Sequence, residues 1–277
     1  MLSPLLERLE QDRSLDDPAR LRERLDALDR LELCVLDGDD RRRAEAIRVQ
    51  LEAVNDALYR RLRDAIRQGS GADVLSPWMH GQAGDSGEDS LPVDGYDYLD
   101  ELVSGVLQFE PPDDAGIRRP SEMVFYQPTP ARHVFELIRR VGLTAHDVFV
   151  DLGSELGHVP LLAAICTAAQ CIGIEREAAY VDCFRRSAEA LGLMRATCVE
   201  QDARAADLSS GTVFYLYTPF TGAVMRSMLD GLRREAAGRQ IRIATYGPCT
   251  SVISGEPWLE VVGALDARRV VLFRSRV

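Results

Sequence analysis

The residues with the clearest chemical meaning stand at the ends of apolar segments in the C-terminal half. In "VFVDLGSELG", Asp151 lies near the tip of an apolar run, and Gly153 and Gly157 follow. Glycine directly after a strand lets the chain turn hard, and a helix opening at Gly157 aims its free N–H groups at whatever lies above the turn. The next apolar run ends at Glu175, a carboxylate placed to meet the two hydroxyls of a ribose. The third ends in "VEQDA", where Asp202 is suited to accept a hydrogen bond from an exocyclic adenine amine. No phosphate-cradling "GKS" or "GKT" occurs. Three acidic tips and a glycine turn point to a nucleoside bearing a cationic group more than to a nucleotide.

The elements that must position these residues alternate. A helix over 130–141 leads into a strand over 148–152, a helix over 157–169, a strand over 171–174, a helix over 177–191 and a strand over 196–200. A strand over 213–217, a helix over 223–236 and a strand over 241–246 follow. Two last strands, 259–265 and 269–274, are joined by the short turn "DAR". Alternation of strand and helix implies a parallel sheet covered on both faces, and a connection as short as "DAR" permits only an antiparallel hairpin. The fold class is therefore α/β: a doubly wound, seven-stranded, mostly parallel sheet closed by an antiparallel C-terminal hairpin, preceded by an α-helical region.

The chain divides into a helical accessory domain over 1–68, a linker and short helix over 69–110, and the sheet domain over 111–277. Leu21, Leu25 and Leu28, then Ala44, Ile47, Leu51, Val54, Leu58, Leu62 and Ala65, recur at helical spacing, predicting a helical hairpin. Its apolar seam can pack on the main domain or pair two copies of the chain in a homodimer. Residues 69–95 are rich in Gly, Ser, Asp and Pro and read as a linker or loop, with Trp78 and Met79 as a docking point.

A net charge of −11 disfavours nucleic acid as a partner, because that affinity comes from basic residues displacing counterions. The six cysteines form no C-x-x-C pair and read as reduced core residues, so neither a metal nor a disulfide framework is expected. No leader and no membrane-length apolar run is recognisable, so the expectation is a cytoplasmic protein without membrane contact.

Residues 126–277 resemble the class I S-adenosylmethionine-dependent methyltransferases: "VFVDLGSELG", "IGIE", "EQDA" and "VFYLYTPF" are similar to their first four motifs. The first and last of these, with "YQPTPARHVFELI" ahead of them, particularly resemble the non-SET histone lysine methyltransferases and their bacterial relatives. The resemblance implies S-adenosylmethionine as cofactor. Asp151, Gly153, Ser154, Glu155 and Gly157 would line its methionine part, Glu175 its ribose, and Asp202 and Ala203 its adenine. Tyr126 and Thr129 would close over it, and Tyr217, Thr218, Pro219 and Phe220 would floor the reaction site, with Tyr217 also touching the cofactor. The implied activity is methyl transfer to a small molecule or a protein.

Two departures qualify this. Glu155 stands where the family has glycine; it either spoils the turn or pairs with the cofactor's positive charge. "YTPF" replaces the Asn/Asp-Pro-Pro-aromatic signature of enzymes that methylate amide or exocyclic nitrogens, so the acceptor atom stays open. The other readings are an inactive scaffold of the same fold and a redox enzyme binding NAD or NADP. His133 and His158 read as surface or capping residues, and Tyr217 and Phe220 fit core packing as well as a reaction site.

Overall fold

The computed structural model describes residues 4–34, 37–80, 95–110, 127–217 and 220–276. Its centre is a seven-stranded sheet in the order β3-β2-β1-β4-β5-β7-β6. The strands are β1 (Val148–Leu152), β2 (Gln170–Glu175), β3 (Ala196–Glu200), β4 (Val213–Leu216), β5 (Arg242–Thr245), β6 (Leu259–Val262) and β7 (Val271–Ser275). The first five run parallel; β7 is antiparallel to β5 and to β6. Winding proceeds outward from β1 in both directions, so the crevice between β1 and β4 is where such a sheet binds ligands.

Central strands are buried on both faces, which is why β4 reads as an unbroken apolar run with no alternation. On one face lie α6 (Ala131–Val141), α7 (His158–Cys166) and α8 (Ala178–Ala190); α9 (Gly222–Ala236) and α10 (Cys249–Ser254) cover the other. Helix α10 has only six residues, too short for a periodic signal, and it was not foreseen.

The N-terminal helices are α1 (Pro4–Gln11), α2 (Leu21–Glu32), α3 (Gly38–Arg67), α4 (Gly71–Met79) and α5 (Tyr98–Leu107). The linker expected over 69–95 is corrected in its first part: residues 71–79 are helical despite Pro77, and Leu75 and Trp78 are buried. Burial of those two side chains against α7 outweighs a composition that argues for a loop; residues 81–94 lie outside the described set. Leu21, Leu58, Leu62 and Ile66 share one continuous core with α6, α7 and the sheet, so packing runs unbroken across residue 68. A smaller core of Leu6, Leu15, Ala27, Leu31 and Leu51 holds the distal end. There the fully buried Arg24 is bonded to Asn55 Oδ1 at 2.6 Å and to the carbonyls of Leu15 and Pro18 at 3.1 and 3.0 Å. The chain's one asparagine thus serves a buried guanidinium, which would be costly unpaired.

Among the described residues no helix is long and apolar enough to cross a membrane. The six cysteines are free, and burial pushes the thiols of Cys166, Cys171 and Cys198 up to about 12, so these stay protonated packing groups.

Candidate functional site

Pairing register brings the strand tips together: Asp151 stands opposite Gly173 of β2 on one side and Tyr215 of β4 on the other. Beyond β1 the chain turns through Gly153 (φ 87), Glu155 (φ 50) and Gly157 (φ 94) before α7 begins. The amides of Gly153 and Ser154 both donate to the Ile174 carbonyl at 3.0 Å, and Gly157 N donates to the Ser154 carbonyl at 2.8 Å. The turn's N–H groups are thus largely spent inside it. A ligand there meets carboxylates and the first turn of α7, in keeping with the absence of a phosphate loop.

Glu155 occupies the left-handed region, which costs a non-glycine residue roughly 1–3 kcal/mol. Its N–H donates to Glu175 Oε2 at 2.9 Å, so the turn closes around the substitution. Glu155→Gly relieves that strain but adds up to about 1 kcal/mol of unfolded-chain entropy. The relieved strain equals or exceeds that entropy, so a scanning-calorimetry midpoint level with the parent or a few degrees above it is expected. A drop would mean that the carboxylate itself holds the turn.

Three carboxylates surround this turn. Asp151 and Glu175 are buried, and Glu155 is half-buried. Burial first, then the charges of Glu155 and Glu175, push the Asp151 carboxyl well above its usual range. Burial also raises Glu175, against three backbone N–H bonds that pull it down. Among the described residues no three His, Cys, Asp or Glu side chains converge closely enough to hold a metal ion. The arrangement suits a diffuse organic cation.

Other foreseen residues sit differently. The Ser154 hydroxyl points at the sheet, 3.8 Å from Cys198 Sγ and where a side chain on Gly173 would lie, so it faces away from the turn's open side. Asp202 lies two residues beyond β3 with its carboxylate engaged by Arg204, at 2.9 Å from both the amide and Nε and 2.6 Å from Nη2; that pairing holds it below the usual carboxylate range. Ala203 begins the short turn that follows and packs on the lower core. Phe220 is buried in the same core cluster as Leu216, Met225 and Met228, in keeping with the core-packing alternative. Tyr217 stays at the end of β4, its ring 4.8 Å from Tyr246, which in turn stacks on His133 at 4.3 Å. Tyr126, Thr218 and Pro219 lie outside the described residues.

His133 departs from the surface reading, and His158 is half-buried at the first turn of α7. His133 is buried under Tyr246, with Nδ1 3.5 Å from Glu136 Oε2. His158 meets Phe109 edge to face at 4.5 Å, and burial holds its imidazole neutral, down to about 4. It lines a cavity of about 250 Å³ with Tyr96, Asp100, Thr129, Ala131 and Leu162. Asp100 and Tyr96 come from the N-terminal helices and their approach, and sequence reasoning missed them. Burial raises the Asp100 carboxyl to about 6, although it caps both α5, through Asp97 N at 2.7 Å, and α6, through Ala131 N at 2.8 Å. "DYLDE", an acid three residues after another ahead of an apolar run, was the signal available for that cap.

A family model described as "Histone methylation protein DOT1" matches residues 120–192, which span the turn and Glu175. Among solved structures, an RNA methyltransferase from Salinibacter ruber in complex with S-adenosyl-L-homocysteine is 22% identical, with a TM-score of 0.43, covering 54% of this chain and 92% of its own. A precorrin-6y C5,15-methyltransferase from Geobacter metallireducens is 15% identical, with a TM-score of 0.43, covering 56% and 92%. A SAM-dependent O-methyltransferase from Thermotoga maritima is 14% identical, with a TM-score of 0.41, covering 54% and 66%. No curated protein matches the chain in sequence. With its strand order, its antiparallel terminal hairpin and the family match across its glycine turn, the chain has the class I S-adenosylmethionine-dependent methyltransferase fold.

Proposed function

We propose that the chain transfers a methyl group from S-adenosylmethionine to a small molecule or a protein side chain. One observation carries this reading: Asp151, Glu155 and Glu175 gather around a single glycine turn, with the Asp151 carboxyl driven up by burial and by its two acidic neighbours. Buried acids in mutual repulsion gain most from a ligand that brings positive charge. The match to the DOT1 model over this turn supports the same reading.

S-adenosylmethionine supplies, when bound, a methyl group on a positively charged sulfur. Glu175 would hold the ribose hydroxyls, and the residues from Asp151 to Gly157 would lie along the methionine part, with the Asp151 and Glu155 carboxylates facing its charge. Asp202 would turn its free lone pairs to the adenine while Arg204 keeps the carboxylate ionised. The chain's further contribution is alignment and exclusion of water, since in-line displacement at a methyl group asks for little else. Tyr217 and Tyr246, in tilted ring contact at the ends of β4 and β5, stand where an acceptor would approach. His158, held neutral, carries no positive charge near pH 7 and has one ring nitrogen free to accept a hydrogen bond. The premise of an inactive scaffold was a turn spoiled by Glu155, and the turn is closed.

Calorimetric titration with S-adenosylmethionine and S-adenosylhomocysteine tests the proposal. Asp151→Asn should weaken the charged sulfonium compound about tenfold more than the neutral thioether, as expected when one close charge pair is lost. In the parent protein the sulfonium compound should bind less tightly as pH falls. Cation binding favours the ionised Asp151, so binding releases protons and tightens as pH rises through the raised range of that carboxyl. Equal loss for both compounds, or no binding of either, would sink the reading.

A further inference from the structure

Tyr215 sits in the middle of β4 between Phe214 and Leu216, and its ring is 1% exposed. A phenol buried this deeply needs a partner for its hydroxyl. That partner is Thr129: Tyr215 Oη and Thr129 Oγ1 are 2.9 Å apart, and Thr129 is itself buried. Tyr215 also stands in register opposite Asp151, so one side chain lies beside the acidic tip of β1 and reaches out of the sheet.

Thr129 belongs to residues 127–130, which have neither helical nor strand structure and lead into α6. It lines the cavity together with His158, the residue after Gly157. Without a regular ladder, the position of this segment depends on point contacts. From outside, the Tyr96 hydroxyl donates to the Pro128 carbonyl at 2.9 Å, and Asp100 Oδ1 accepts from Ala131 N at 2.8 Å. From the sheet, Tyr215 makes a side-chain tie to it.

We propose that Tyr215 is a positioning residue, whose hydroxyl couples the strand carrying the site floor to the 127–130 segment and so sets how closely that segment closes over an adenosyl ligand at the glycine turn. The inference rests on the methyl-transfer reading. Tyr215 acts through Thr129, so the two hydroxyls should behave as a single unit in ligand binding. A tyrosine that merely filled the core would alter melting and leave ligand affinity alone.

S-adenosylhomocysteine titrated into the full chain and its Thr129→Val, Thr129→Ser, Tyr215→Phe and Thr129→Val/Tyr215→Phe variants decides the matter. Thr129→Val and Tyr215→Phe should each weaken binding about tenfold, the double variant should be no weaker than the worse single one, and Thr129→Ser should stay within about twofold of the parent. Should Tyr215→Phe fail to fold, the contrast between valine and serine at 129 decides alone, since only serine keeps the hydroxyl. Parent-like affinity of Thr129→Val, or a double variant whose loss is the product of the two, overturns the coupling while leaving methyl transfer standing. A parent protein that binds no S-adenosylhomocysteine removes the methyl-transfer reading itself, and the positioning role with it.

Discussion

Glu175→Ala is expected to weaken S-adenosylhomocysteine binding at least about a hundredfold and to lower the thermal midpoint by several degrees. One carboxylate closes two turns: Oε1 accepts from the amides of Arg176 and Glu177 at 2.7 and 2.8 Å, and Oε2 from that of Glu155 at 2.9 Å. An ionised carboxylate offers about four lone-pair sites, so room remains for a ribose hydroxyl. Alanine leaves three backbone donors without their acceptor, where hydrogen bonds to a charged group contribute about 1.5–3 kcal/mol each. Relief from burying the charge offsets part of this, as the raised carboxyl shows. The ligand has no such offset: a hundredfold loss is about 2.8 kcal/mol, the order of one or two charge-assisted hydrogen bonds.

The same residue fixes a sign in the pH dependence of stability. Folded, Glu175 keeps its proton to higher pH than it does in the unfolded chain, so the folded state binds more protons across that interval. Stability therefore falls as pH rises through it, and the loss is complete above the raised value. Thermal midpoints of the parent should drop relative to Glu175→Gln over that interval, because glutamine keeps an acceptor oxygen and cannot titrate. Parallel midpoints would place the titration elsewhere, and parent-like S-adenosylhomocysteine affinity of Glu175→Ala would remove the ribose assignment.

How much of this could be read from the sequence depends on how local each cause is. The seven strands and the turn at Gly153 and Gly157 were legible because an apolar run ended by glycine or an acid is a local pattern, and each strand was found within a few residues. Asp151 and Glu175 were legible for the same reason: they sit at the tips of such runs. Tyr215 was not, since its role comes from Thr129, far away in the chain, and a tyrosine in "VFYL" looks like one more strand aromatic. Asp100 was missed because its two caps join helices that only packing brings together. Phe220 and Ser154 stand within the quoted motifs, but their side chains turn into the core and the sheet, a direction set by packing that the motif does not record. Residues 71–79 looked like a linker because Gly, Ser and Pro are counted locally, while burial of Leu75 and Trp78 against α7 is not.

Gly157→Ala should be the most damaging small substitution in the site. At φ 94 the residue lies where an L side chain is strained by roughly 1–2 kcal/mol. A Cβ there would stand 2.1 Å from Phe184 Cδ2 and 2.7 Å from Cε2, and Phe184, on α8, is fully buried, so the ring cannot swing away into solvent. Overpacking of this kind costs about 1–3 kcal/mol. Together they predict a loss of about 2–5 kcal/mol, seen as a fall of about 5–15 °C in the thermal midpoint. The damage also reaches the ligand, because the cheapest escape from the clash is to shift the start of α7, and with it His158, the Ser154–Gly157 bond and the Glu155 amide on Glu175. S-adenosylhomocysteine affinity should therefore fall even where the variant is still folded, whereas Gly192→Ala should leave affinity untouched: Gly192 is also at positive φ, but with nothing within 4 Å of an added Cβ. That pair separates backbone strain, which both carry, from the close approach of Phe184, which only Gly157 meets; equal ligand affinities in the two variants would mean that the start of α7 does not set the site.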